Sequence, residues 1–266
     1  MAIRDARAVL AQIDGWEGAS ITVLPGGLNN RNFQLDNGSV KAVLKIDDGP
    51  RELPFNSRAE EARVQQQAAD AGLAAAVLFV DNGILLSEYL EGDVGTEASL
   101  ADNAALEKLA RALRSLHSLP LTGRSFDAAA AAWQYAQRVP ADEAATAHDC
   151  LALINAMPRL QNLCCCHNDL VVGNIIATPS IRFIDWEYAC DNDPFFDLAT
   201  IVAHHRLDAE RTRFLLDAYF DGDGERWHDR LSIQVKFYNA LLWLWLKAHR
   251  NPPDASAKLT SDSATP

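Results

Sequence analysis

Near the middle of the chain stands His167-Asn168-Asp169-Leu170-Val171-Val172-Gly173-Asn174, and Phe183-Ile184-Asp185-Trp186 follows it. Reduced to groups that can do chemistry, this is His-x-Asp-x-x-x-x-Asn, with a second Asp eleven residues after the Asn. Moving a phosphoryl group from ATP needs oxygen-bearing side chains of this kind. One carboxylate takes or positions a hydroxyl proton, while an amide oxygen and a second carboxylate hold Mg2+ on the triphosphate. By type, order and spacing, Asp169 is the candidate catalytic residue, and Asn174 and Asp185 are the candidate metal ligands. Asp, Asn and Gly also gather in ordinary turns, where their side chains bond the local backbone. The flanks favour the chemical reading. An apolar run, Leu163 to Cys166, precedes the motif. Ile175-Ile176-Ala177 and Ile181 to Ile184 read as a short strand pair that would set Asp185 at a strand end, where a ligand is held rigidly.

The elements that must position these groups are also legible. Residues 2–13 read as a short amphipathic helix. Strands are expected at Ile21 to Leu24, Asn32 to Leu35 and Val40 to Ile46, the last two joined through Asn37-Gly38. A helix is expected from Asn56 to Ala71, stopping before Gly72, and a hairpin from Val77 to Val80 and Ile84 to Ser87 around Asp81-Asn82-Gly83. Together these make a mostly antiparallel sheet with one inserted helix. Beyond it the composition turns helical. Leu106, Leu109, Leu113 and Leu116 share one helix face, and residues 127–136, 141–156, 208–220 and 228–248 predict further helices. Lys45 falls on the third strand. A triphosphate needs a cation beside its phosphates, although a surface Lys on an edge strand is a common alternative. The following helix carries Glu60 and Glu61, and one of these carboxylates must pair with Lys45 to orient it.

The strings CHNDLVVGNII, FIDWEYA and DPFFDLA together resemble the aminoglycoside phosphotransferase and choline kinase superfamily, from about Leu24 to about His205. The resemblance implies an α+β, protein-kinase-like fold of two lobes, a small N-terminal antiparallel sheet with one helix and a larger, mostly helical C-terminal lobe. Residues 1–87 would form the nucleotide-binding lobe, 88–92 the hinge and 93–250 the catalytic and acceptor-binding lobe, while the polar, Ala-, Ser- and Pro-containing residues 251–266 read from their composition as a flexible tail. It implies ATP and Mg2+, with a small-molecule hydroxyl as acceptor. It favours Glu61 as the partner of Lys45, with Glu60 still open. Pro25 to Asn30 resembles the phosphate-covering loop, which makes Gly26, Gly27 and Asn30 candidate nucleotide contacts. Glu88 and Leu90 would flank the adenine edge. His167 would brace the catalytic loop, and Asp197 would support it by hydrogen bonds, a role compatible with a helix-start residue after Pro194. The Asn at 168 and the Glu-Tyr-Ala after Trp186 lean toward choline, ethanolamine and thiamine kinases, since antibiotic-modifying members more often carry Gly at both places.

Composition narrows the acceptor. The net charge of −12 over 266 residues disfavours a nucleic-acid partner and suits a cationic substrate, although it serves general solubility equally well. Trp186, Glu187, Tyr188, Tyr238, Trp243 and Trp245 could supply aromatic and acidic surface for it, with Asp191 or Asp193 adding charge. Trp243 and Trp245 stand two apart on a helix, so at most one of them is expected to reach a ligand, and core packing on an amphipathic helix is the favoured reading for each. Choline or ethanolamine is the first acceptor expected, thiamine the second and an aminoglycoside the third. A nucleotide-binding regulator without turnover is the reading from another class. A protein kinase is disfavoured, because eleven residues separate Asp185 from Asp197 and neither Asp-Phe-Gly nor Ala-Pro-Glu occurs. No apolar run approaches membrane-spanning length, and the first ten residues do not read as a secretory signal. Five cysteines, an odd number, fit a reducing, cytoplasmic setting. Cys164-Cys165-Cys166 reads as a buried strand, whose adjacent residues face opposite ways and cannot chelate together. His117 reads as a satisfied, partly buried residue, and His204 and His205 show no further ligands at zinc spacing.

Overall fold

Alternation along the first strands decides where the charged groups go. The computed structural model describes residues 2–25, 30–49, 57–157, 162–177 and 179–250, so Gly26, Gly27 and the expected tail at 251–266 lie outside the described residues. Helix α1 (Ala2–Leu10) leads into β1 (Ser20–Leu24), β2 (Asn30–Asp36) and β3 (Lys41–Asp47); helix α2 (Arg58–Asp70) precedes β4 (Val77–Asp81) and β5 (Ile84–Glu88). These strands form one antiparallel sheet in the order β1-β2-β3-β5-β4. Successive side chains of a strand face opposite ways. Ala42, Leu44 and Ile46 therefore pack with Phe33, Leu35 and Leu86 against Leu10 and Trp16, and Lys45 faces the other side. Fully burying a Leu or Phe here contributes roughly 1.5–3 kcal/mol.

Ser57 caps α2, its hydroxyl accepting from the Glu60 N–H at 3.2 Å. Arg58, Glu61, Val64, Gln65 and Ala68 then recur at helical spacing on the buried side, and Glu60, about 100° round the helix from Glu61, is turned toward solvent.

Past β5 the chain crosses to a mostly helical lobe. It contains β6 (Asp93–Val94), α3 (Asn103–His117), α4 (Ala128–Ala136), α5 (Ala144–Asn155), β7 (Cys164–Cys166), β8 (Ile175–Ala177), β9 (Ile181–Phe183), β10 (Cys190–Asn192), α6 (Pro194–His204), α7 (Ala209–Tyr219) and α8 (His228–Arg250). Leu106, Leu109, Leu113 and Leu116 of α3 are all fully buried, in one core with α6 and α8. Short strand pairs hold the chemistry in place. β7 pairs with β10, and β8 lies between β6 and β9. The segment from His167 to Asn174 thus spans the gap between two ladders, and Asp185 follows the end of β9. Among the described residues no helix is long and apolar enough to cross a membrane.

Gly95 locks the entry segment onto this arrangement. Its N–H donates to the Ile175 carbonyl at 2.8 Å, and a Cβ there would stand 2.5 Å from the Val172 carbonyl oxygen. Val172 opens the 3-10 turn that carries Asn174. Gly95→Ala is expected to push that turn, lowering stability by about 1–3 kcal/mol and reducing kcat as well. Thermal unfolding and steady-state kinetics measure both; a variant matching the parent in each would contradict this contact.

Candidate active site

A relay of alternating charges runs from the sheet into the helical lobe. Arg58 Nη1 donates to Glu61 Oε2 at 2.6 Å, and Arg58 also pairs with Asp47 at the end of β3 at 2.7 Å. Glu61, with no exposed surface, meets Lys45 Nζ through its other oxygen at 3.3 Å. Lys45 Nζ in turn lies 2.7 Å from Asp185 Oδ1. Glu60 pairs instead with Arg63 at the surface, so of the two carboxylates it is Glu61 that meets Lys45. Burial alone would lower the Lys45 pKa, but Asp185 and Glu61 outweigh it and raise it. Burial would raise that of Asp185, and Lys45 reverses this, holding it below the usual carboxylate range.

The backbone at Asp185 is left-handed, φ 66° and ψ 66°, a region that Asp and Asn enter more readily than most residues. Asn168 is left-handed too, φ 65°. Its amide fastens the turn, donating to the Tyr188 carbonyl at 3.1 Å and accepting from Asn192 at 2.7 Å. The left-handed backbone explains why Asn or Gly suits this place.

Asp197, fully buried on α6, gathers the loop. Its Oδ1 accepts the Asn168 N–H at 2.7 Å, and its Oδ2 accepts the His167 N–H at 2.9 Å and lies 3.1 Å from His117 Nε2. His167 Nε2 donates to the Ile184 carbonyl at 3.0 Å, tying the catalytic loop to the residue before Asp185. Burial lowers the His167 pKa, which keeps the ring neutral. Asn174 turns its amide nitrogen to the Asp169 carbonyl and to Asp169 Oδ2, both at 2.9 Å, and so leaves Oδ1 as the end for a cation. Burial first, then the Asp185 and Glu187 carboxylates, push the Asp169 carboxyl up to about 7, against the pull of Asn174. A general base works best poised near the operating pH.

A cavity of about 440 Å³ opens beside these groups. Asp169, Asn174 and Asp185 line one part of it. Phe126, Tyr135, Tyr188, Phe196, Tyr238 and Trp245 supply aromatic wall, and Glu187 and Asn30 contribute polar atoms. Tyr238 is fixed by His204, whose Nε2 lies 2.8 Å from its hydroxyl.

Several expected residues sit elsewhere. Trp186 does not line the cavity; it is fully buried, donates to the Phe183 carbonyl at 3.0 Å and packs on the His167 ring. Trp243 does not line it either, and its ring lies under the ammonium of Lys247 on the same helix. Trp245, about 200° round the helix from it, does reach the cavity. Asn30, expected over the phosphates, does line the cavity, where it bridges Arg58 and Glu187. Asp191 accepts from the Thr122 and Gly123 backbone, and Asp193 caps α6 and pairs with Arg230. Sequence reasoning missed Arg58 as a clamp and Phe126 and Tyr135 as wall. Arg58 stands three residues before Glu61, a helical pairing distance that could have shown it; Phe126 and Tyr135 carry no such signal.

The chain is similar over most of its length to known proteins. The family described as "Phosphotransferase enzyme family" matches residues 20–232. A relative named Protein LicA, from Haemophilus influenzae, is 31% identical over 242 residues, covering 84% of this chain and 71% of that protein. A thiamine kinase from Salmonella typhi is 33% identical over 199 residues, covering 73% of this chain and 68% of the relative. The crystal structure of a choline/ethanolamine kinase family protein from Mesorhizobium loti superposes with a TM-score of 0.73 at 27% identity, covering 96% of this chain and 89% of that one.

The raised Asp169 carboxyl makes a stability prediction. Its pKa is about 7 in the folded chain against an ordinary 3.8, so the folded state binds the extra proton between those values and its charge opposes folding above them. Asp169→Asn is expected to cut turnover by about 10²-fold or more. The same variant should unfold at a higher temperature than the parent at about pH 8, with the gap narrowing as pH falls from about 7 and closed below about 3.8. Thermal unfolding across pH, without nucleotide, tests it; parallel pH profiles for the two proteins would contradict the assignment.

Proposed function

The chain belongs to the phosphotransferase enzyme family, and we propose that it transfers the terminal phosphoryl group of ATP to the hydroxyl of a small cationic alcohol, choline or ethanolamine first. The observation that carries this reading is the cavity in which Asp169 and Asp185 meet an aromatic wall and the buried carboxylate of Glu187. A cationic head fits such a wall by cation–π attraction and gains from a carboxylate kept out of water. The net charge of −12 would draw such an acceptor in.

Mg2+ takes hard oxygen ligands, and the Asp185 carboxylate and Asn174 Oδ1 are a donor set of that kind. The 2.7 Å contact of Lys45 Nζ with Asp185 supports a place for positive charge there. When bound, Mg2+ neutralises charge developing on the phosphates. Lys45, oriented by Glu61, adds a second positive charge on the phosphate side. At the crossing, the sheet already uses the N–H groups of Glu88 and Tyr89, bound to the Ala76 and Lys41 carbonyls at 2.9 and 3.0 Å. A backbone donor to an adenine edge therefore falls to Leu90, with the Glu88 carbonyl as the acceptor beside it. Asp169 takes the proton of the acceptor hydroxyl as its oxygen attacks. The new P–O bond forms as the bond to the leaving oxygen breaks, and ADP departs. Positioning and charge neutralisation supply most of the acceleration.

Thiamine is the second reading, favoured by the similarity to a relative of that name; it too joins a fixed cation to a primary hydroxyl. A cytoplasmic setting, where ATP is available, accords with five free cysteines.

Assay of ATP consumption with Mg2+ against choline, ethanolamine, thiamine, sugars and aminoglycosides tests the proposal. One cationic alcohol should be turned over well above the neutral ones. Glu187→Gln should raise its KM by about tenfold, about 1.4 kcal/mol, and lower kcat by less than that, since one of the carboxylates that raise Asp169 is lost. Equal rates for charged and neutral alcohols would overturn the cationic acceptor, and no ATP consumption with any of them would favour the regulator.

A further inference from the structure

The cysteine run Cys164-Cys165-Cys166 has no part in the reaction above. Neighbours on a strand cannot share a ligand, but the first and third residues can. The sulfurs of Cys164 and Cys166 lie 3.5 Å apart on β7. Helix α3 brings His117 to the same place, and its ring nitrogen and the two sulfurs all lie within 4.8 Å of one another. Tetrahedral zinc, with Zn–S about 2.3 Å, holds two thiolate sulfurs roughly 3.8 Å apart, so this pair needs to open by only a few tenths of an ångström.

The surroundings match a metal-bound imidazole. His117 Nε2 faces the buried Asp197 carboxylate at 3.1 Å. A ligating His commonly gives its other N–H to a carboxylate, which fixes the ring and its tautomer. That leaves Nδ1 as the metal-binding end. Nδ1 now lies 2.7 Å from the Tyr219 hydroxyl, which is at hand as a fourth, oxygen ligand.

We propose that Cys164, Cys166 and His117 form a binding site for a thiophilic d10 cation of the zinc and cadmium kind, separate from the Mg2+ position. Two thiolates and an imidazole select such an ion, whereas the carboxylate and amide oxygens of Asp185 and Asn174 select a hard one. On binding, each of the two thiols gives its proton to solvent and its sulfur forms a bond to the cation. Asp197 joins the site to the catalytic loop, because the carboxylate facing His117 also accepts the His167 and Asn168 N–H groups. The assignment does not depend on which alcohol is phosphorylated.

The test uses the whole chain, reduced, stripped with a chelator and titrated with Zn2+ or Cd2+ alone. Elemental analysis after gel filtration should find about one ion per chain, and Cd2+ should give the ultraviolet thiolate-to-metal band. The ion should raise the unfolding temperature of the parent. Cys164→Ser, at a partly exposed position, should weaken binding about tenfold or more and remove that rise, and His117→Gln should weaken binding likewise. Cys150→Ser, on α5, should bind as the parent does. Retention of no ion by the parent, or parental binding by both Cys164→Ser and His117→Gln, would overturn the site.

Discussion

The Lys45–Asp185 ion pair is the interaction on which the rest of the site depends. It joins the third strand of the sheet to the loop after β9, across 140 residues of sequence. Each charge in the relay Arg58, Glu61, Lys45, Asp185 is backed by the next. Isolated buried charges cost several kcal/mol each, and removing one partner leaves its neighbour uncompensated. The relay therefore behaves as a unit: α2 cannot shift without moving Lys45, and Lys45 cannot move without releasing Asp185. The left-handed backbone at Asp185 adds to this constraint, since the loop holds its shape only while the surrounding contacts enforce it.

A second buried carboxylate does for the catalytic loop what Lys45 does for Asp185. Asp197 accepts two successive backbone N–H groups, and so fixes the direction in which Asp169, one residue on, leaves the loop. His167 links the two anchors through the Ile184 carbonyl. Asp169 itself is held where burial and two other carboxylates raise its pKa. The fold thus keeps a group that is costly when ionised beside the aromatic cavity, a common exchange of stability for activity.

Much of this was legible in the sequence because it is local. The order and spacing of Asp169, Asn174 and Asp185 named the chemistry, strand alternation set Lys45 opposite Leu44, and leucine spacing drew α3. The bounds of the elements moved by a few residues where caps and turns decide them. What the sequence hid is long-range. Phe126 and Tyr135 reach the cavity through the packing of α4 on α5 and α8, which no motif encodes. Trp186 reads as acceptor wall by its aromatic ring, yet the turn that sets Asp185 on the cavity leaves the indole fully buried. Adjacent cysteines of the run face opposite ways, whereas Cys164 and Cys166 come together with His117 only once α3 is packed beside β7.

The cation site proposed at Asp185 and Asn174 is the centre of the account. Calorimetric titration with ATP, with and without Mg2+, in the parent and in Asp185→Asn tests it most directly. The parent should bind ATP more tightly when Mg2+ is present, and the variant should lose most of that gain while still binding the nucleotide. An Asp185→Asn protein whose ATP affinity rises with Mg2+ as much as the parent's would contradict the account.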